Sequence, residues 1–152
     1  AVIPCIAIVA IMAVSSVASA EVLTMSPHKI VLNAQGNFED MQAVIRMPMQ
    51  AGYTLLDYQV TLSFNGIPII QAFNMRYCYI DDNFLASFDR TAVQNHPTVI
   101  GMANTTVTAT VAGWYSAVNS DGLTYTHDFS WTDDMEIVDP GKEAKTYEFN
   151  FL

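Results

Sequence analysis

Charge is scarce in this sequence, and basic charge is scarcest. Asp, Glu, Lys and Arg make up 14% of 152 residues, with 6 Lys and Arg against 15 Asp and Glu, a net charge of −9. A chain this acidic repels a phosphate backbone, which argues against nucleic acid as a partner. Cysteine is nearly missing: Cys5 and Cys78 form no CxxC and no zinc spacing. Cys5 stands in an apolar stretch and Cys78 in a strand pattern, so both read as buried apolar thiols rather than a pair. The three histidines, His28, His96 and His127, make no H-x-H or H-E-x-x-H pattern and read as loop or exposed residues. The 7 glycines all fall in apparent turns, which leaves none for a phosphate-cradling loop, and G-x-S-x-G is absent. Neither a metal, a cofactor nor an enzymatic activity is expected from these residues.

The first 20 residues, AVIPCIAIVAIMAVSSVASA, carry no charge at all. They read as a helix that is apolar on every side, with Pro4 in the first turn, where a missing N–H costs little. Three uses fit. Residues 1–20 have the apolar core and the Ala18-Ser19-Ala20 cleavage pattern of a secretory signal peptide, without its basic start. About 20 apolar residues also cross a hydrocarbon core, though no Lys or Arg flanks them to set an orientation. The third use is a helix that packs against copies of itself in an assembly.

The opening Ala1-Val2-Ile3-Pro4-Cys5-Ile6-Ala7 resembles the start of mature archaeal type IV pilins, which follow an A-V-x-P-x-I pattern. The head is shorter than usual for that family and carries Cys5 where an aliphatic is common. It lacks the early glutamate of the bacterial pilins. The resemblance implies an N-terminal apolar helix over residues 1–24, with Val2, Ile3, Pro4, Ile6, Ile8, Val9, Ile11, Met12, Val14 and Val17 in the core of a helical filament. It implies copies of the same chain as partners, membrane insertion before assembly, and an extracellular, cell-surface filament. Adhesion to glycans or to a host or neighbouring cell surface would be its role.

After Glu21 the pattern changes to that of a mainly β domain, residues 25–152. Residues 22–25 read as a strand or as the end of the helix, and Ser26-Pro27 breaks them. Strands are expected over 29–33 and 41–47, with a turn at 34–37 between them. Residues 57–64 alternate cleanly, and Asn65-Gly66 favours a type I′ hairpin into 67–72, where Pro68 argues for an edge or a bulge. Residues 73–80 read as another strand. Residues 83–96 read as a short helix or ordered loop, because Phe84, Leu85 and Phe88 are spaced for one apolar face. Further strands are expected over 98–102, 105–117, 123–131, 135–138 and 146–152. Eight or nine short strands with turn signals every 8–12 residues point to an antiparallel, immunoglobulin-like β-sandwich. Ser26-Pro27, Ile30, Leu32-Asn33, Gly36, Val44-Ile45, Pro48 and Gly52-Tyr53 also resemble the opening of small secreted β-sandwich modules of archaea and some bacteria, a likeness that implies fold but no chemistry.

Asn104-Thr105-Thr106 is an N-x-T sequon, which makes Asn104 a candidate glycosylation site in an exported chain. Two acidic groups, Asp81-Asp82-Asn83 and Asp133-Asp134 with Glu136 and Asp139, suit calcium, but turn-forming preferences explain them without a metal. Trp114, Tyr115, Tyr125 and Trp131 read either as a carbohydrate-binding aromatic patch or as core and cross-strand pairs.

Overall fold

The computed structural model describes residues 21–34 and 40–141. Nine strands lie there: β1 (Glu21–Ser26), β2 (Lys29–Val31), β3 (Met41–Arg46), β4 (Tyr53–Phe64), β5 (Ile67–Gln71), β6 (Asn74–Cys78), β7 (Asn83–Phe88), β8 (Thr105–Asn119) and β9 (Thr124–Val138). Two short helices, α1 (Arg90–Gln94) and α2 (Pro97–Ile100), connect β7 to β8. The protein is mainly β, in two sheets. The first has the order β1-β3-β7-β6 and the second β2-β9-β8-β4-β5. Every pairing is antiparallel except β2 with β9, which is parallel, a departure from the fully antiparallel expectation.

Period-two burial makes the sandwich. In β3, Met41, Ala43 and Ile45 point inward; in β7, Phe84, Ala86 and Phe88 do; in β8, Val107, Ala109, Val111, Tyr115 and Ala117 do. These side chains meet between the sheets, each removed from water at roughly 25 cal/mol per Å² of apolar surface. Gln94 reaches inward from α1 and donates its Nε2–H to the Val31 carbonyl at 2.9 Å, fastening the helical connection to β2.

Turn chemistry sets the strand joints. Asn65 and Gly66 both have positive φ, 51° and 81°, as the type I′ turn requires. The returning β5 is an edge strand with a register shift opposite Pro68, since proline has no N–H to give the ladder.

Several expectations are corrected. Residues 83–88 are strand β7, not helix: β3 and β6 hydrogen-bond it on both sides, and its apolar residues alternate. Residues 97–100 are a helical turn, not a strand, because His96 caps the turn and Pro97 occupies its start. Residues 123–131 and 135–138 are one strand, so β8 and β9 run 15 residues each rather than being short. Of the two readings of residues 22–25 the strand holds, not the helix end: Glu21–Ser26 is a strand paired with β3. The proposed assembly residues from Val2 to Val17, part of the turn at 34–37 and the strand expected at 146–152 lie outside the described residues.

Candidate functional site

The chain enters the sandwich at Glu21, which is in register with Arg46 at the end of β3. The same end carries the β3–β4 connection (residues 47–52), the β6–β7 turn (79–82) and the β8–β9 turn (120–123). The β3–β4 connection is held from both sides. The Met49 N–H donates to Tyr77 Oη at 3.3 Å, on the first sheet. The Gln50 N–H donates to Tyr125 Oη at 3.4 Å, on the second, and the Tyr125 hydroxyl donates to Met49 Sδ at 3.3 Å. Tyr77 in turn donates to Asp82 Oδ1, which ties the β6–β7 turn to its own strand.

A row of rings runs beneath these loops. Tyr77 lies 4.9 Å from Phe84, Phe84 4.5 Å from Tyr115, Tyr115 6.1 Å from Tyr125, and Tyr125 5.0 Å from Tyr53, centroid to centroid. These offset and edge contacts suit the ring quadrupoles. Beside the row is a cavity of about 370 Å³ lined by Met47, Pro48, Gln50, Tyr115, Tyr125, Thr126 and His127.

His127 packs 5.8 Å from the Tyr115 ring, centroid to centroid, and its Nε2 is buried with no hydrogen-bond partner. Burial pushes its pKa below the ordinary value, against a smaller upward pull from Asp128, so the ring is held neutral. Burial, reinforced by the Tyr125 hydroxyl, pushes the Tyr115 phenol far up. The cavity therefore offers uncharged hydrogen-bonding groups and aromatic faces, which suit an uncharged polar ring better than an ion.

Other sequence candidates fall elsewhere. Trp114 and Trp131 do not join one patch: Trp114 is on the outer face of β8, and Trp131 packs against the core. Tyr115 is core, only 2% exposed. His28 is exposed, and His96 accepts the Thr98 N–H at Nδ1 (3.1 Å) as the cap of α2. Asp133 and Asp139 accept neighbouring backbone N–H groups, as turn and edge residues do. Among the described residues no three His, Cys, Asp or Glu side chains gather as a metal site. Asn104 is exposed at the opposite end of the sandwich, with φ of 62°, and its Oδ1 accepts the Asp139 N–H at 3.1 Å. That leaves the Nδ2 pointing away from the bond, at the atom a glycan would join.

No protein-family model, no curated protein and no solved structure matches this chain.

Proposed function

We propose that this chain is a structural, non-enzymatic subunit of an extracellular filament. Its uncharged residues 1–20 pack with those of other copies, and its β domain faces outward for adhesion. The observation that carries this reading is the start of β1 at Glu21, directly behind the apolar stretch and without a linker. An uncharged stretch of 20 residues needs apolar partners that keep it from water, and copies of itself supply them. The uncharged cavity beside Tyr125 and His127 supports a neutral glycan as the adhesion target.

The strand order supports an immunoglobulin-like domain. Lettered in chain order as A, A′, B, C, C′, D, E, F and G, the strands form A-B-E-D and A′-G-F-C-C′ sheets. The ABED and CFG sheets of that fold follow the same order. β3 and β8 carry no cysteine for the inter-sheet disulfide of antibody domains.

A second reading has its own support. Ala18-Ser19-Ala20 ends where β1 begins, as a signal-peptide cleavage site would, and a secreted or envelope-associated binding module would result. Intact mass and N-terminal sequencing of protein from the cell exterior separate the two. A start at Ala1 together with filaments under the microscope is expected, and a start at Glu21 favours the module. Val9→Asp should abolish filaments and leave the β domain folded; filaments that survive it sink the filament reading.

A further inference from the structure

Two diagonals of charge, one on each outer face of the sandwich, have the same length and opposite sign. On the first sheet β3 and β6 flank β7. Arg46 is in register with Asn83, and Asn83 with Cys78. One outward step along, Val44 is in register with Leu85, and Leu85 with Arg76. Phe84, Ala86 and Phe88 point into the core, so Asn83, Leu85 and their partners face out. Both arginines are exposed. Of the acids on this face, Glu21 is in register with Arg46, and Asp81 lies at the β6–β7 turn. Arg76 faces Leu85 across its neighbouring strand. Beside Arg76 is a cavity of about 200 Å³ whose lining includes Val44, Cys78, Asp81, Asn83 and Leu85. Asn83 Oδ1 is buried there without a hydrogen-bond partner.

On the second sheet β4 and β9 flank β8. Ser116 is in register with Asp57 and Thr126, and one outward step away Trp114 is in register with Gln59 and Asp128. Tyr115 and Ala117 point inward, so this set faces out. Asp57 and Asp128 are exposed, and Trp114 between them is half-buried.

Arg46 and Arg76 thus stand two strands and one outward step apart, and so do Asp57 and Asp128. With strands about 4.8 Å apart and a rise of about 3.4 Å per residue, each diagonal spans about 12 Å. Each is centred on the middle strand of its face, one on Asn83 and Leu85 with their cavity, the other on Trp114 and Ser116.

We propose that the first-sheet face of one copy docks on the second-sheet face of a second copy, with Arg46 and Arg76 against Asp57 and Asp128 and Trp114 over the cavity. The indole N–H only donates, which suits the unpaired Asn83 Oδ1. Its ring gives the Arg76 guanidinium an aromatic face. Two unlike faces meet, so the contact is head-to-tail and repetition extends an array instead of closing a dimer. The inference rests on the filament reading for its second copy, and it adds to that reading a contact outside the apolar stretch.

The test uses full-length chains with Arg46→Lys and Arg76→Lys, half of them isotopically heavy. They are assembled and treated with a carbodiimide, which joins an amine to a carboxylate it touches. The link between Lys29 and Glu136 within one chain, 3.3 Å apart, is the internal standard. Links from positions 46 and 76 to Asp57 and Asp128 that combine light and heavy peptides are expected. Their absence beside the internal standard overturns the proposal, and so do links confined to one isotope. Charge exchange is the second measurement. A chain with Arg46→Glu and Arg76→Glu, and another with Asp57→Lys and Asp128→Lys, should each need roughly tenfold more protein to assemble alone. Mixing the two should restore assembly. Undiminished assembly of either variant alone overturns the proposal, as does a mixture of two folded variants that fails to recover. Filaments without the links overturn the face pairing and leave the filament reading standing. The links without filaments support the pairing and count against that reading.

Discussion

The two sheets meet solvent with different chemistry and meet each other with different volumes. On the outer face of the first sheet stand Arg46 and Arg76, both exposed, among Gln42, Val44 and Leu85. The outer face of the second carries Asp57, Asp128, Asp134 and Glu136 in a field of threonine and serine. Its cation there is Lys29, which pairs with Glu136 at 3.3 Å. Inside, the first sheet supplies bulk: Met25, Met41, Met75, Phe84 and Phe88. In the second, β8 supplies room with Ala109 and Ala117. Bulk set against room lets the sheets interlock. The outer faces teach something else: two acidic second-sheet faces repel one another, so copies that pack together must use unlike surfaces.

Four substitutions break or sharpen this comparison. Phe84→Ala strikes the bulky side. Phe84 is fully buried against Tyr77 and Tyr115, so its loss should cost about 4 kcal/mol, read as a lower midpoint in urea unfolding. Gly113→Ala strikes the second sheet, where β8 is pressed against β4. A Cβ at Gly113 would stand 1.8 Å from the Gln59 carbonyl oxygen and 2.9 Å from Val60 Cα, backbone atoms that cannot swing away. The expected cost is about 3 kcal/mol. If the sheets fold as one unit, both variants keep a single transition with an unchanged slope. A second transition in either would show that the sheets separate.

The third is a pH experiment at the cavity between them. His127 has a lowered pKa in the folded state, so the unfolded chain takes up its proton first. Stability should hold above the ordinary histidine value of about 6.5 and fall as pH drops through it. His127→Gln should flatten that part of the stability–pH curve, and a wild-type curve that is flat between neutral pH and pH 5 would refute the burial of this ring. The smallest effect is on the outer face. Lys29→Ala removes a pair whose side chains are 56% and 55% exposed, and should cost less than about 0.5 kcal/mol, vanishing in high salt.

Legibility in the sequence followed the range of the interaction. Asn65-Gly66 needs only its own backbone, and its type I′ turn and hairpin were readable. So was Pro68, which announced an edge with a shifted register. β7 was not. Phe84, Leu85 and Phe88 satisfy a helical spacing as well as Phe84, Ala86 and Phe88 satisfy a strand, and the decision belongs to β3 and β6, far away in the chain. At 97–100 the β-branched residues suggested a strand, while His96 and Pro97 carried the helix signal that won. The parallel pair between β2 and β9 joins residues more than a hundred positions apart through only three register positions, too little pattern to announce itself. The candidate site shows the same limit. Aromatic content near Tyr115 and Tyr125 was visible, but Met47, Gln50 and His127 join it only once the β3–β4 connection crosses between the sheets.

The parallel pairing of β2 with β9 also decides how this domain would carry a load. Glu21 opens the domain at one end, and the chain leaves β9 at Val138 at the other. Tension between those points pulls β2 and β9 in opposite directions along their shared axis. The bonds from Glu136 to His28 and from Leu32 to Val138 are then sheared together, not peeled open one by one. Antiparallel β1 and β3 are drawn the same way, with Glu21 pulled off the end of Arg46. A rupture under force must therefore break several backbone bonds at once, and the domain resists stretching along the line between its termini more than its equilibrium stability alone would suggest.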